Sequence, residues 1–478
     1  AARGTQIATR DTHAEPSGTR QASAPIVIPT PSASNFASIA GLWEGPLKVA
    51  GQELNMAVRF KGSGSTLVAF MDIPVQGAKD IPLSKVSQQG NKVHFEAFTG
   101  ARLAVYEGQV QADGSLVGNF QQAGFKGTFV LKPVAVQPTA AVDYRQEEVT
   151  YKNGDITLAG TLTLPATGSG FPALLLITGS GPQNRDEDLL GFQPFRLIAD
   201  YLTPRGFAVL RVDDRGVGGS TGDLTQSTSE DLAGDVLAGV NLLKSRPDID
   251  AKRIGLLGHS EGGLIAPMAA TRSNDVAFII LLSGPGLPGS AILKTQLVDI
   301  MRASGSSQAQ IDQAAERQQQ VLDAVTTGKG WDELTGDWQN TTRTQIEAMP
   351  ADQVSALGGV DKAVDDAVRA QRAAVDNPWF KFFVNYDPAP TLANVHVPVL
   401  ALFGGKDTQV AAVANEAAVK AALEKGGNAR GTTKIFSDAN HLYQQAVTGS
   451  PSEYGTLLKE FLPGFLDYIY DWTERVIR

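Results

Sequence analysis

The stretch from 253 to 270 constrains the fold of this 478-residue chain more than any other. Arg253-Ile-Gly-Leu-Leu257 is an apolar run with the length of a buried strand, and Gly262-Gly-Leu-Ile-Ala-Pro-Met-Ala-Ala270 reads as a helix. Between them, Gly258-His-Ser-Glu-Gly262 leaves room only for a sharp reversal. Glycines at 258 and 262 suit that reversal, because a Cβ at either place would strike the neighbouring strand or helix. Strand, tight turn and helix in this order lift the Ser260 hydroxyl clear of a sheet, as a nucleophile elbow does. Gly-x-Ser-x-Gly alone is short, and Gly62-Ser-Gly-Ser65 shows that this glycine-rich chain makes similar loops elsewhere. The flanking elements carry the inference.

Around the elbow the chain alternates strands with helices, which predicts a mostly parallel sheet flanked by helices, an α/β fold. A hairpin, 147–151 and 156–164, turns at Lys152-Asn-Gly-Asp155. Strands follow at 173–177, 208–212, 276–283, 397–403 and 432–436. Helices are predicted at 192–202, ended near Pro204-Arg-Gly206, at 410–425, and near 454–470. Ser227-Thr-Ser-Glu230 has the pattern of a capping box, opening a helix with Leu232, Val236, Val240 and Leu243 on one face. This grammar assigns 145–285 and 389–478 to one catalytic domain. It is interrupted by 286–388, where Gln/Ala-rich helical patterns at 291–303, 307–326 and 361–375 accompany Trp331, Trp338, Trp379, Phe380, Phe382, Phe383 and Tyr386. That insertion reads as a helical cap over a pocket; a solvated excursion without substrate contact is the alternative.

The N-terminal third has a different texture. Residues 1–35 are rich in Ala, Ser, Thr and Pro without apolar period and read as a disordered leader, of the kind that precedes exported domains or remains from a tag. Residues 36–133 carry short alternating runs, at 54–60, 65–70, 92–98, 103–110, 115–120 and 127–131, with turn chemistry at Gln89-Gly-Asn91 and Ala112-Asp-Gly114. An antiparallel barrel or sandwich is expected there, and its opening, Gly41-Leu-Trp-Glu-Gly45, is loosely similar to the Gly-x-Trp start of lipocalin-like barrels. It reads either as a ligand-binding module or as an accessory domain that packs on the catalytic one or mediates a homodimer. Residues 134–144 form a Pro-containing linker.

Composition narrows the chemistry. A net charge of −9 and the absence of a Lys/Arg-rich run argue against a nucleic-acid partner. The longest apolar runs, such as 276–282, are too short to span a bilayer. There is no cysteine, hence no disulfide or thiolate chemistry, and His13, His94, His259, His396 and His441 lack paired metal-ligand spacing. No cofactor is implied either: Gly179-x-Gly181 reaches Asn184 and Gly216-x-Gly218 reaches Thr221 where a dinucleotide fingerprint needs glycine.

A serine hydroxyl needs an imidazole to take its proton, and that imidazole needs a carboxylate to fix its tautomer. In the α/β-hydrolase order the acid and then the histidine follow the serine, on loops after later strands. Asp407 lies just after Leu402-Phe-Gly-Gly405, and His441 follows the strand ending at Phe436 through Ser437-Asp-Ala-Asn440. Asp438 is the rival acid. His259 sits beside the serine and reads as structural, while His396 precedes a strand and His94 lies in the β-rich region. The oxyanion formed on attack needs N–H donors. Glu261, next after the serine, and Ser180, in the loop Thr178-Gly-Ser-Gly-Pro182, are the candidates.

Taken as a set, Thr178-Gly-Ser-Gly-Pro-Gln-Asn-Arg-Asp-Glu187, Val212-Asp-Asp-Arg-Gly-Val-Gly-Gly-Ser220, Gly258-His-Ser-Glu-Gly-Gly263 and the Asp407 and His441 loops resemble bacterial α/β-hydrolase serine esterases, including thermophilic carboxylesterases with an extra N-terminal β-domain. The resemblance covers roughly 145–478. It implies hydrolysis of short- to medium-chain acyl esters, small-molecule substrates, with Ser260, Asp407 and His441 as catalytic residues. One departure stands out: Thr178 occupies a position that is usually His, which puts the loop's orientation in question. Asp213-Asp-Arg-Gly216 reads as a structural turn, with a substrate-contact role as the alternative. The superfamily also includes serine aminopeptidases, which would need an acidic group for a free amino terminus; Glu261, Asp186, Glu187 and Asp188 are the residues at hand.

Overall fold

Eight strands that each hydrogen-bond to the next, with the last returning to the first, leave no open sheet edge. That is the arrangement of β1 (Gly41–Val49), β2 (Gln52–Lys61), β3 (Val68–Ile73), β4 (Ala78–Gln89), β5 (Lys92–Thr99), β6 (Arg102–Val110), β7 (Leu116–Gln122) and β8 (Phe125–Pro133), a closed antiparallel barrel in which Leu47 of β1 pairs with Phe129 of β8. The computed structural model describes residues 38–478 apart from 50–51, 63, 74–77, 100–101, 123–124, 135–142 and 350. The expected leader, His13 and most of the expected linker lie outside the described residues.

The barrel is filled by its own side chains, as an eight-stranded barrel can be. Phe95 stacks on Tyr106 at 4.6 Å, and Phe60, Phe120 and Phe129 close around them. Two strands escaped the alternation pattern. β4 carries Pro82 and an irregularity between Ser84 and Ser87, where Lys85 has φ 47°, so its two-residue period is broken. β1 holds Gly41, Gly45 and Pro46, poor strand formers. The strand expected at 65–70 begins as a 3-10 turn, Gly64–Thr66, and becomes β3 only from Val68.

The second sheet runs in the order β16-β15-β14-β13-β11-β12-β10-β9. Its strands are β9 (Tyr144–Asn153), β10 (Ile156–Pro165), β11 (Phe171–Ile177), β12 (Ala208–Val212), β13 (Ile249–His259), β14 (Phe278–Leu282), β15 (Val399–Gly404) and β16 (Gly431–Phe436). β10 pairs antiparallel with β12 on one side and with the edge strand β9 on the other; β11 to β16 run parallel. Successive side chains on the parallel strands enter opposite cores. Leu256, Leu281 and Phe403 join α2 (Ser229–Lys244), α3 (Gly262–Ala270) and α11 (Ala412–Lys425) on one face, while Leu257, Leu282 and Leu402 join α1 (Pro194–Leu202) and α12 (Phe465–Ile477) on the other. Burial on both faces explains why these strands read as continuous apolar runs.

Two boundaries differ from the sequence reading. The box at α2 is formed by Thr228 and Asp231, one residue later than Ser227 and Glu230, because each of those two side chains bonds the other's backbone N–H. The closing helix starts at Phe465, not near 454, since Pro463-Gly464 interrupts the chain and Gly464, at φ 79°, is its N-cap. Between β14 and β15 the chain makes α4 (Gly289–Ala303), α5 (Gln308–Thr327), α6 (Trp331–Glu347), α7 (Ala351–Ala356), α8 (Val360–Val375), α9 (Pro378–Asn385) and α10 (Ala389–Ala393). Among the described residues no helix is long and apolar enough to cross a membrane.

Candidate active site

The elbow is as tight as its glycines imply. A Cβ on Gly258 would fall 2.0 Å from the Gly262 carbonyl oxygen, and one on Gly262 would fall 2.3 Å from that of Ile177. Ser260 between them has φ 52°, a left-handed conformation that a residue with a side chain rarely adopts and that concentrates at functional sites. Its N–H donates to the Leu282 carbonyl at 2.8 Å, fixing the turn to β14.

His441 and Asp407 meet from two loops at the same end of the sheet. His441 Nδ1 lies 2.7 Å from Asp407 Oδ2, and Asp407 Oδ1 accepts the N–H groups of Gln409 at 2.8 Å and Val410 at 2.9 Å. Burial raises the Asp407 pKa, but the His441 ring and these donors outweigh it and hold the carboxylate below its ordinary value. An ionised Asp407 accepts a hydrogen bond from the Nδ1–H, which leaves Nε2 as the acceptor nitrogen of His441. Ser260, His441, Ser180 and Glu261 line one cavity of about 290 Å³. Asp438 instead faces Lys406 at 3.5 Å. His94 lies near Glu107 and Glu96 on the barrel, and the His396 carbonyl is held by Arg430.

Of the seven aromatic residues in the helical excursion, Trp379 and Phe383 of α9 line this cavity, together with Ile292 and Leu293 of α4. Three others sit in the excursion's own clusters, Trp338 with Ile346 and Val364, and Trp331 and Phe380 with Leu322, while Phe382 and Tyr386, stacked at 5.2 Å, pack against the sheet core. Trp379 reaches the elbow, its Nε1 donating to Glu261 Oε1 at 2.8 Å. Ser229 Oγ donates to the same oxygen at 2.6 Å, and the Ser180 hydroxyl also bonds this carboxylate. Burial pushes the Glu261 pKa up against those three donors.

The segment Asp213-Asp-Arg-Gly216, a structural turn by sequence, grips the loop from Thr178 to Gln183. Thr178 Oγ1 donates to Asp214 Oδ1 at 2.6 Å and the Gln183 N–H donates to Asp214 Oδ2 at 2.8 Å, so one carboxyl group brackets the loop at both ends. This is how the chain orients the loop with Thr at 178. Burial pushes Asp214 up to about 8, although both donors pull it down; the nearby carboxylates of Glu187 and Glu261 add to the rise. Arg185 closes the arrangement with a two-point contact to Asp213, Nε to Oδ1 at 3.1 Å and Nη2 to Oδ2 at 2.7 Å. Partners so far apart in the chain leave no periodic signal, which is why Asp214 was missed.

His259 is buried and bonded on both nitrogens, Nδ1 to Glu187 Oε1 at 2.9 Å and Nε2 to the His441 carbonyl at 3.0 Å. Glu187 Oε1 also accepts the Gly179 N–H at 2.7 Å. Among the described residues no cluster of three or more His, Asp or Glu side chains is placed to hold a metal ion.

A parallel sheet with the serine on a strand-to-helix elbow, and an Asp–His pair on the loops after two later strands, defines the α/β-hydrolase class. Within that class the chain belongs to the Hydrolase_4 family, described as serine aminopeptidase, S33, whose model matches residues 193–444, more than half of the chain. The matched stretch contains Ser260, Asp407 and His441; the barrel and Ser180 lie outside it. The chain is 26% identical over 330 residues to Esterase EstD of Thermotoga maritima, covering 69% of this chain and 66% of that protein. It is 29% identical over 144 residues to the 2-hydroxy-6-oxononadienedioate/2-hydroxy-6-oxononatrienedioate hydrolase of Cupriavidus pinatubonensis, covering 30% and 46%. It is 35% identical over 126 residues to Esterase FrsA of Yersinia pestis, covering 26% and 28%. The matches thus span less than two thirds of these relatives' own lengths.

Proposed function

We propose that the chain is a serine carboxylesterase that hydrolyses short- to medium-chain acyl esters through an acyl-enzyme. The observation that carries this reading is the 2.7 Å pair of Asp407 and His441 opening into the same cavity as the strained Ser260. Ser260 Oγ attacks the ester carbonyl while His441 Nε2 takes its proton and Asp407 stabilises the imidazolium. The N–H groups of Glu261 and Ser180 receive the oxyanion, the first assisted by the N-terminus of α3. His441 then protonates the departing alcohol, and it activates the water that releases the acid. Ile292, Leu293, Phe383, Val410 and Leu442 give the cavity apolar surface that suits an acyl chain.

The family's description raises aminopeptidase action as a second reading. It would need a carboxylate open to a substrate ammonium group. Glu261 is engaged by Ser229 and Trp379, and Glu187 by Gly179 and His259. Their prior engagement favours the ester. Steady-state rates on p-nitrophenyl acetate, butyrate and longer esters, beside aminoacyl-nitroanilides, test the choice. We expect turnover of the shorter esters to exceed that of the anilides, and Ser260→Ala to reduce it by about 10⁵- to 10⁶-fold. Ester turnover persisting in that variant would overturn the assignment, and anilide turnover exceeding ester turnover would establish the peptidase.

A further inference from the structure

We infer that Glu187 is the positioning residue that holds the oxyanion loop and the general base in register with Ser260, acting through one carboxylate oxygen and His259. The inference rests on acyl transfer at Ser260. Glu187 Oε1 accepts the N–H of Gly179, the residue before Ser180, and lies against His259 Nδ1; His259 Nε2 in turn donates to the carbonyl of His441. Three loops that arise far apart in the chain are therefore linked: the loop after β11 and the elbow after β13 meet at Glu187 Oε1, and the imidazole of His259 carries the link on to the loop after β16.

The hydrogen bonds determine the state of His259. The His441 carbonyl can only accept, so Nε2 carries a proton. Glu187 Oε1 already accepts the Gly179 N–H and faces Nδ1 as an acceptor too, which places a second proton on Nδ1. Burial alone would lower the His259 pKa, but the carboxylate beside it reverses the sign and holds it above the ordinary value, in keeping with an imidazolium–carboxylate pair.

Three features of Glu187 are unfavourable for folding and have no structural purpose of their own. Its φ is 52°, in the left-handed region. It is a carboxylate at 4% exposure. Its second oxygen, Oε2, is buried without a hydrogen-bond partner. The turn around it is built to aim it inward. Asn184 accepts the Glu187 N–H at its carbonyl and the N–H groups of Asp186 and Asp188 at its side-chain oxygen. Its neighbours are turned elsewhere, Asp186 to Arg211 and Asp188 to Gln193 and the Gly191 N–H. Of the acidic run 186–188, only the middle residue reaches the cavity wall. Strain and unsatisfied polarity at one residue that bonds the oxyanion loop and, through His259, the His441 loop mark a positioning role.

Kinetics of variants in the full chain test this, with thermal unfolding measured for each. Glu187→Ala is expected to lower kcat on p-nitrophenyl butyrate by about 100-fold, the scale of an ångström of misplacement, with KM within about threefold. Glu187→Gln can still accept from Gly179 and His259, and should recover most of that loss. His259→Gln can keep the bond to the His441 carbonyl and His259→Asn the one to Glu187; each should fall between the wild type and Glu187→Ala. If Glu187→Ala does not fold, Glu187→Gln and the two His259 variants carry the comparison, and wild-type kcat in both His259 variants would overturn the role. So would a folded Glu187→Ala with unchanged kcat, or one in which KM alone rises. A fluorophosphonate probe separates this from the reading beneath it. A wild type that does not label at Ser260 overturns acyl transfer itself, whereas equally fast labelling of wild type and Glu187→Ala overturns only the role of Glu187.

Discussion

Asp214 poses an electrostatic problem at the residue scale. An oxyanion loop stabilises negative charge, yet Asp214, Glu187 and Glu261 all surround it. The conflict is resolved differently at each: Glu187 is paired with His259, Glu261 receives three donors, and Asp214 keeps its proton to about pH 8. A carboxyl whose folded pKa lies above its unfolded value adds stability that is full below about pH 4 and is lost as pH rises through the folded pKa. Ionisation would also set a charge against the oxyanion. We therefore expect thermal stability to fall as pH rises from about 4 to about 8, and ester turnover to decline as pH passes about 8. Asp214→Asn can donate to Thr178 Oγ1 and accept from the Gln183 N–H, so it should keep activity at pH 7 and remove that decline. An identical alkaline limb in Asp214→Asn would assign the decline to another group. Ser260, Asp407 and His441 could be singled out in the sequence because each sits where a strand pattern ends. Asp214 could not, because its partners, Thr178 and Gln183, are defined only once β11 and β12 lie side by side.

Among the elements, α9 determines what the excursion does. Asn377 caps it by accepting the Phe380 N–H at 2.8 Å, and Pro378 occupies its first turn, so a short helix is held with Trp379 against the elbow. The indole N–H contributes to satisfying a buried carboxylate, worth about 1.5–3 kcal/mol for a bond to a charged group. Trp379→Phe keeps the ring surface and deletes the donor. We expect kcat/KM to fall by about tenfold across the ester series, and Trp379→Ala to shift preference toward longer acyl chains by enlarging the cavity. An unchanged chain-length profile in Trp379→Ala would show that α9 does not bound the acyl site. The sequence reading anticipated aromatic residues over a pocket but could not rank them. At this scale, short helices such as α9 and the irregular strand β4 were illegible because caps, Pro82 and the bulge near Lys85 override periodicity.

For the whole molecule, the barrel does more than accompany the sheet. Ala57 of β2 is buried in one apolar cluster with Leu190, Phe192, Tyr454 and Leu442, the residue that follows His441, and Leu42 of β1 packs against it. Lys459 reaches Glu44 of β1 at 3.7 Å. Burial pushes Glu44 up to about 7, although Lys459 pulls it down. The barrel thus backs the loops that carry His441 and Glu187, which no alternation pattern within 36–133 could convey, since those partners lie more than a hundred residues away. The α/β class was legible because buried parallel strands and amphipathic helices keep their own periods. Contacts between separate loops were not, and most of the active-site support is made of them.

All of this depends on a covalent acyl group on one serine. Quenching the full chain in acid during turnover of p-nitrophenyl butyrate, then mapping the modified peptide by mass spectrometry, observes that group directly. The butyryl adduct is expected on Ser260 and absent from Ser260→Ala; an adduct on another residue, or turnover by Ser260→Ala at the wild-type rate, would contradict it.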